Sequence, residues 1–382
     1  MNILIVPDSF KDCLPADEVA QSLAAGILES HPGAAIRVFP IADGGEGTAA
    51  CLHYHLGGEK VKLQVHDPLH RLITASYLLL NNGEIAVIEM ATASGLELIR
   101  PGERDPLKAS TFGTGEMIRH AIQQGARKII LTLGGSATVD AGTGLAKALG
   151  FCFTSHTGTE VQAAGGNLEQ VATIDSGQVL PDFSKTEIII ACDVQNILNG
   201  PEGAAMVYGP QKGATPQAVR TLSKGLQNIS ALVLRDTGFD ANQHPGSGAA
   251  GGAALFLMAY GNARMEKGFD LIASMTGLQA AINDHDVVIT GEGRIDKQTG
   301  YGKVVASVAQ LVHQANGKRF IGVAGRIDGP EEEIRKQHGM ERLFAIRDYA
   351  KNDEDSITNA ANFLKIIGKQ VLLPGTPFDS PS

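Results

Sequence analysis

The sequence predicts an α/β protein: a doubly wound, parallel-sheet (Rossmann-like) domain built from both chain ends, with a second α/β domain of mixed sheet inserted between them. Three observations lead there. Short, nearly all-apolar segments alternate with helix-period segments at both ends of the chain. The middle opens instead with apolar segments separated only by turns. At 382 residues, the chain also exceeds the length at which one hydrophobic core usually keeps growing.

Ile3 to Val6 reads as a buried strand, followed by a helix with apolar positions Val19, Leu23 and Ile27, a strand at Ile36 to Phe39 and a helix starting near Thr48. The far end repeats this grammar. Val287 to Thr290, Phe320 to Val323 and Leu343 to Ile346 read as strands; Val304 to Val312, a segment from Glu331 and Ile357 to Val371 read as helices. All-apolar strands between helices imply a parallel sheet covered on both faces. In the middle, Val61 to Val65, Ile73 to Leu80 and Ile85 to Ile88 follow one another across turns such as Asn82-Gly83, which is hairpin chemistry. Ile129 to Leu133 and Ile188 to Ala191 return to the strand pattern, and Thr215-Pro216 is an N-cap and N1 pair opening a long helix. The expected division is 1–60 plus 282–382 for the discontinuous domain and 61–281 for the insert.

Composition narrows the function. Hydrophobic residues make up 43% and charged residues 19%, ordinary globular usage. With 32 Lys+Arg against 41 Asp+Glu, a net charge of −9 and no basic run, neither nucleic acid nor an anionic membrane surface is an expected partner. Asn2 to Val6 starts a strand at once, without the features of a signal peptide, so a cytoplasmic location is expected. Cys13, Cys51, Cys152 and Cys192 are scattered and form no CxxC pair, so they are read as unpaired thiols. His66 and His70 are four apart, but Pro68 lies between them; both are read as surface histidines rather than a helical metal pair.

Glycine is abundant, 46 residues, and its placement points to a ligand. Gly44, Gly45 and Gly47 with Thr48 follow one predicted strand, Gly134 and Gly135 with Ser136 and Thr138 follow a second, and Gly291 and Gly293 follow a third. Such junctions are where open α/β sheets bind ligands, and glycine turns let backbone N–H groups converge on an anion such as phosphate. Carboxylates in phosphate-shaped loops would repel the ligand unless a cation lies between. Asp43, Glu46, Asp193, Glu292 and Asp296 therefore suggest Mg²⁺ together with a nucleotide. No Walker A pattern occurs. The one GxGxxG, Gly246 to Gly251, follows Gln243-His244-Pro245 rather than a strand, and it opens a predicted helix at Gly251 to Tyr260.

These loops also resemble the bacterial glycerate kinase family. The matching runs are Pro7-Asp8-Ser9-Phe10-Lys11, Asp43 to Thr48, Glu89 to Leu96, Gly113 to Glu116, Gly134 to Thr138, Ala191 to Val194, Gly209 to Ala214, Gly246 to Gly252, and Thr290 to Asp296 with Gln298 and Gly302-Lys303. The family usually has proline where this chain has Ile197, asparagine where it has Val139 and alanine where it has Ser247. The resemblance implies a transferase that uses ATP, with Mg²⁺, to phosphorylate D-glycerate in an interdomain cleft, with 2-phosphoglycerate favoured over 3-phosphoglycerate. Homo-oligomers are compatible with it. Among the matched residues, Asp193, Lys11 and Arg294 are the catalytic candidates: Asp193 beside the acceptor hydroxyl, Lys11 on the substrate carboxylate or the transferring phosphate. The Gly134 to Thr138 loop, with Gly44, Gly45, Gly47, Thr48, Gly291, Gly293, Lys212 and Lys303, is assigned to the nucleotide. Asp43 with Glu46, or Glu292 with Asp296, is assigned to the metal. The competing readings are an NAD(P)-dependent hydroxy-acid dehydrogenase using the Gly246 loop, and a non-catalytic protein that binds an organic acid or nucleotide.

Overall fold

Apolar strands flanked by amphipathic helices need cover on both faces, and the described residues meet this need with two large sheets, beside a small antiparallel pair, Cys152–Thr154 with Thr173–Asp175. The computed structural model describes residues 1–11, 13–296 and 304–373; Gln298, Gly302 and the nucleotide candidate Lys303 lie outside the described residues. In chain order the strands are β1 (Asn2–Pro7), β2 (Ala35–Val38), β3 (Glu59–His66), β4 (Leu72–Leu80), β5 (Ile85–Glu89), β6 (Lys128–Thr132) and β7 (Cys152–Thr154). They continue with β8 (Thr173–Asp175), β9 (Glu187–Ala191), β10 (Arg264–Glu266), β11 (Val287–Asp296), β12 (Arg319–Asp328) and β13 (Arg342–Ala345). Two compact units result: Met1–Asp43, Ala50–His55 and Phe269–Ser382 in the first, Gly44–Ala49 and Leu56–Gly268 in the second.

The first unit holds an all-parallel sheet in the order β13-β12-β11-β1-β2. Ile3, Leu4, Ile5 and Val6 are completely buried because β1 is flanked on both sides and covered on both faces. The helix Ala16–Ser30 buries Val19, Leu23 and Ile27 on one stripe, in the same core as Leu364 and Ile367. The expected helix from Ile357 to Val371 is broken. Asp353–Thr358 ends at Asn359, whose backbone leaves helical geometry and whose side-chain amide donates to Asp355 Oδ1 at 2.7 Å, and Ala360–Gln370 starts afresh.

A second difference concerns Gly291 to Asp296, expected as a loop after a strand. β11 runs straight through them, paired in register with Val323 to Asp328 of β12. Glycine serves close approach here: a Cβ on Gly291 would strike the Val323 carbonyl, and neither Gly291 nor Gly293 has a positive φ.

The second unit carries a mixed sheet in the order β10-β9-β6-β5-β4-β3. β3, β4 and β5 pair antiparallel; β5, β6, β9 and β10 pair parallel. The helix Pro216–Thr237 begins where the Thr215 hydroxyl accepts the Ala218 N–H at 3.2 Å, and it buries Leu222, Leu226, Ile229 and Val233. The helix expected from Gly251 starts later, at Leu255–Gly261, because Ala250, Gly251 and Gly252 all have positive φ and cannot propagate a right-handed helix. The GxGxxG segment is accordingly not a strand-to-helix turn. His66 is less free than its surface reading: its backbone N–H donates to Glu116 at 2.8 Å and its ring lies 3.0 Å from the same carboxylate. All four cysteines are free thiols, and no helix among the described residues is long and apolar enough to cross a membrane.

Candidate functional site

Four parallel neighbours in the second unit, β5, β6, β9 and β10, aim their C-terminal ends the same way, and this edge is where such sheets bind ligands. The loop after β6 divides in two. Gly134 and Gly135 are exposed, whereas Ser136, Ala137 and Thr138 turn inward. Ala137 N–H donates to the Ser94 carbonyl at 2.9 Å and Leu96 N–H to the Gly135 carbonyl at 2.8 Å, so the loop is laced to the segment after β5.

Lys212, expected to bind the nucleotide, is 2% exposed. Its ammonium donates to Ser136 Oγ at 2.8 Å and to the Thr138 carbonyl at 2.7 Å. Burial drives its pKa down to about 7, opposed by the nearby Asp140 carboxylate. Asp140 is completely buried and accepts from Thr111 N and Oγ1, both at 2.8 Å, from Gly142 N at 3.2 Å and from Gly144 N at 3.3 Å. Burial raises its pKa against those bonds, yet all four partners are donors, which is the arrangement a carboxylate anion requires.

The 44–48 loop belongs to the same cluster. Gly44 has φ 91°, and a side chain there would lie 2.5 Å from Gly268 Cα; the Gly268 N–H in turn donates to Asp193 Oδ1 at 3.2 Å, just beyond β9. A Cβ on Gly134 would meet Gly45 Cα at 3.2 Å. Gly44, Gly45, Gly134, Gly135 and Asp193 are thereby gathered at one edge of the sheet. Thr48 turns its hydroxyl to the Gly45 carbonyl at 2.8 Å.

The start of the helix Thr48–Leu56 already has an anion in place. Glu89, at the end of β5, accepts the Ala49 N–H at 3.3 Å and is also engaged by the amides of Gly47 and Thr48, while its burial raises its pKa. Glu89 lies in a run shared with the family but carries none of the expected roles. The signal was an acid ending a buried strand, the same one that singled out Asp193.

In the first unit, Asp8 follows the buried strand β1 in the same way. Its carboxyl is pushed up to about 7, first by burial and then by the neighbouring Asp43 carboxylate, against hydrogen bonding from Ser9. Lys11 and Gly293 line a cavity of about 220 Å³ with Gly325, Arg326 and Arg347. Arg294 is largely exposed and bridges Asp328 at 2.6 Å and, more loosely, Asp296 at 3.9 Å. Glu292, in contrast, is 7% exposed. Among the described residues no group of three or more His, Cys, Asp or Glu side chains is placed to hold a metal ion. The Asp8 and Asp43 pair nonetheless suits Mg²⁺, which is commonly held by one or two carboxylates and completes its shell with phosphate oxygens and water. Asp43 and Glu46 fall in different units.

Comparison with known proteins places the chain among enzymes, in the class of phosphotransferases that act on an alcohol group. A solved structure of a provisionally assigned glycerate kinase 2 from Salmonella typhimurium LT2 superposes with a TM-score of 0.84 at 40% identity, covering 97% of each chain. The profile of the glycerate kinase family matches residues 3–373, and the chain belongs to that family. A glycerate kinase of Bacillus subtilis strain 168 is 38% identical over 97% of each chain. A glycerate 2-kinase of Escherichia coli strain K12 is 39% identical over 91% of this chain and 90% of its own.

Proposed function

We propose that this enzyme transfers the γ-phosphoryl group of ATP to a hydroxyl of D-glycerate in the presence of Mg²⁺, with the 2-hydroxyl favoured over the 3-hydroxyl. The observation that carries the reading is the meeting of two glycine loops at the ends of parallel strands, Gly134 against Gly45, with Asp193 tied to the same place through Gly268 and Gly44. Phosphoryl transfer asks mainly for positioning and for groups that match developing charge. The exposed Gly134 and Gly135 offer close backbone approach to phosphate oxygens. Asp193 takes the acceptor hydroxyl's proton as that oxygen attacks the γ-phosphorus and the bond to the β-phosphate oxygen breaks, releasing ADP.

Lys11 and the arginines around its cavity supply positive charge for the glycerate carboxylate or the transferring group. Arg294 is assigned to the same charge-spreading role, and Gly293, in the wall of the Lys11 cavity, to close backbone approach, whereas Gly291 serves the pairing of β11 with β12. Asp43, with Asp8 beside it, is assigned to Mg²⁺; Glu46, Glu292 and Asp296 remain the further oxygen donors of the assignment. When bound, Mg²⁺ neutralises charge shared by the β- and γ-phosphates. Preference for the 2-position is supported by the name of the Escherichia coli relative.

The test is ³¹P NMR of the purified protein with D-glycerate, ATP and Mg²⁺. A glycerate-dependent phosphomonoester signal is expected, absent with EDTA, and its coupling pattern reports which hydroxyl was modified. An unchanged spectrum alongside an active control kinase overturns the reading.

A further inference from the structure

Lys212 stands out among the ionisable side chains of the second unit because it is buried without an ion-pair partner within 4.0 Å among the described residues, yet it spends two of its three N–H donors on one short loop. Removing an ammonium from water is costly unless geometry and hydrogen bonding compensate. The compensation is directional. One bond goes to the Ser136 hydroxyl and the other to the Thr138 carbonyl, so both fall on the buried half of the Gly134 to Thr138 segment, whose outer half is the exposed Gly134-Gly135 pair. The backbone bonds of Gly135 and Ala137 run sideways instead, to Leu96 and Ser94.

The ammonium is itself positioned by its own turn. Lys212 closes the one-turn segment Pro210–Lys212, and Gly213 at φ 97° packs against the Arg104 backbone. Asp140, already saturated by four donors from the segments at Thr111 and at Gly142 to Gly144, supplies fixed negative charge nearby without competing for the ammonium's hydrogen bonds.

We propose that Lys212 is a positioning residue that acts from inside the protein: it braces the Gly134 to Thr138 loop so that the outer glycines hold the phosphoryl donor, and it does not touch the donor itself. The inference rests on the reading of that loop as the donor's phosphate cradle. A residue that clamped phosphate directly would need an open path to solvent, which a 2% exposed side chain with both bonds turned to protein lacks.

The experiment has two arms, so that failure of the brace and failure of the kinase reading are told apart. Hydrogen–deuterium exchange is measured across residues 133–139 in the full-length wild type, Lys212→Met and Ser136→Ala, with the β6 amides as internal reference. The loop is expected to exchange at least tenfold faster in Lys212→Met and by a smaller factor in Ser136→Ala, with β6 unchanged. Steady-state kinetics with ATP and D-glycerate form the second arm. Lys212→Met is expected to raise the KM for ATP about tenfold or more while the KM for glycerate stays within twofold, and Ser136→Ala to shift the same constant in the same direction.

Unchanged loop exchange in either folded variant overturns the brace, whatever the kinetics. Faster loop exchange with an unaltered KM for ATP overturns the link to the donor. If Lys212→Met does not fold, Ser136→Ala carries both arms. A wild type that turns over no ATP overturns the kinase reading and, with it, the donor's place on the loop, while the exchange arm still decides the brace.

Discussion

Asp140→Asn is the substitution whose cost can be worked most fully from the geometry. Asp140 Oδ2 accepts from Thr111 N, Thr111 Oγ1 and Gly144 N; Oδ1 accepts from Gly142 N. The Thr111 hydroxyl itself accepts the Leu145 N–H at 2.8 Å, which leaves its proton for Asp140. Asparagine offers a single acceptor oxygen. Placed where Oδ2 was, it keeps three partners and turns an NH₂ group on the Gly142 N–H, donor against donor. One charge-assisted bond is lost, worth about 1.5–3 kcal/mol, and three are weakened from ionic to neutral strength. The Lys212 ammonium also loses its nearby counter-charge. The sum is about 3–5 kcal/mol, within the range for breaking a buried charged network. For a unit of this size each kcal/mol moves the midpoint by about 2–4 °C, so the second unit should unfold roughly 10 °C lower. Differential scanning calorimetry of wild type and variant at neutral pH reads this directly. A variant that unfolds within about 2 °C of wild type would refute the claim that the anion at Asp140 organises this part of the fold.

Other consequences follow from the same geometry. Asp193→Asn should lower kcat by about 10²–10⁴ with the thermal midpoint preserved, and near wild-type turnover would remove Asp193 from the base role. Lys212 has a folded pKa of about 7 against an ordinary value of 10.5. The unfolded chain therefore holds a proton between those values that the folded chain has released, and stability should rise with pH across that window by up to about 1.4 kcal/mol per unit. Urea unfolding at several pH values should show that slope in wild type and lose it in Lys212→Met; equal slopes would contradict it. Ser247→Ala should cost about 1–2 kcal/mol in chemical denaturation, since its buried hydroxyl donates to the Ala241 carbonyl at 2.6 Å and accepts the Leu198 N–H at 3.0 Å. Asp43→Asn should raise the Mg²⁺ concentration for half-maximal activity about tenfold or more, and an unchanged Mg²⁺ titration would take Asp43 out of the metal assignment.

Much of the architecture was legible because it depends on local periodicity. All-apolar runs such as Ile3 to Val6 and Val287 to Ile289 have to be buried on both faces, and the turns between Val61 and Ile88 permit antiparallel neighbours. Breaks that depend on one side chain were not legible. Asn359 ends a helix through a bond to Asp355, and left-handed residues from Ala250 to Gly252 delay another. Gly291 to Asp296 showed the limit of reading glycine by composition, because the same residue serves a ligand turn or a close strand pair, and only the partner strand distinguishes them.

The candidate site divides in the same way. Residue types and their order along the chain determined the family and singled out Asp193, Lys11 and the glycine loops. Tertiary structure alone decided that Gly134 meets Gly45, that Lys212 faces inward to Ser136 and Thr138, and that Glu89 already fills the helix start at Gly47 to Ala49. It also brought Asp8 within electrostatic reach of Asp43, though they lie 35 positions apart in the chain, beyond the neighbouring strands β1 and β2. The physical reason is that burial and long-range pairing set both the direction in which a charged group points and the cost of keeping it charged. Neither quantity is a property of the residue or its immediate neighbours; both arise only when distant strands are brought side by side and water is excluded between them.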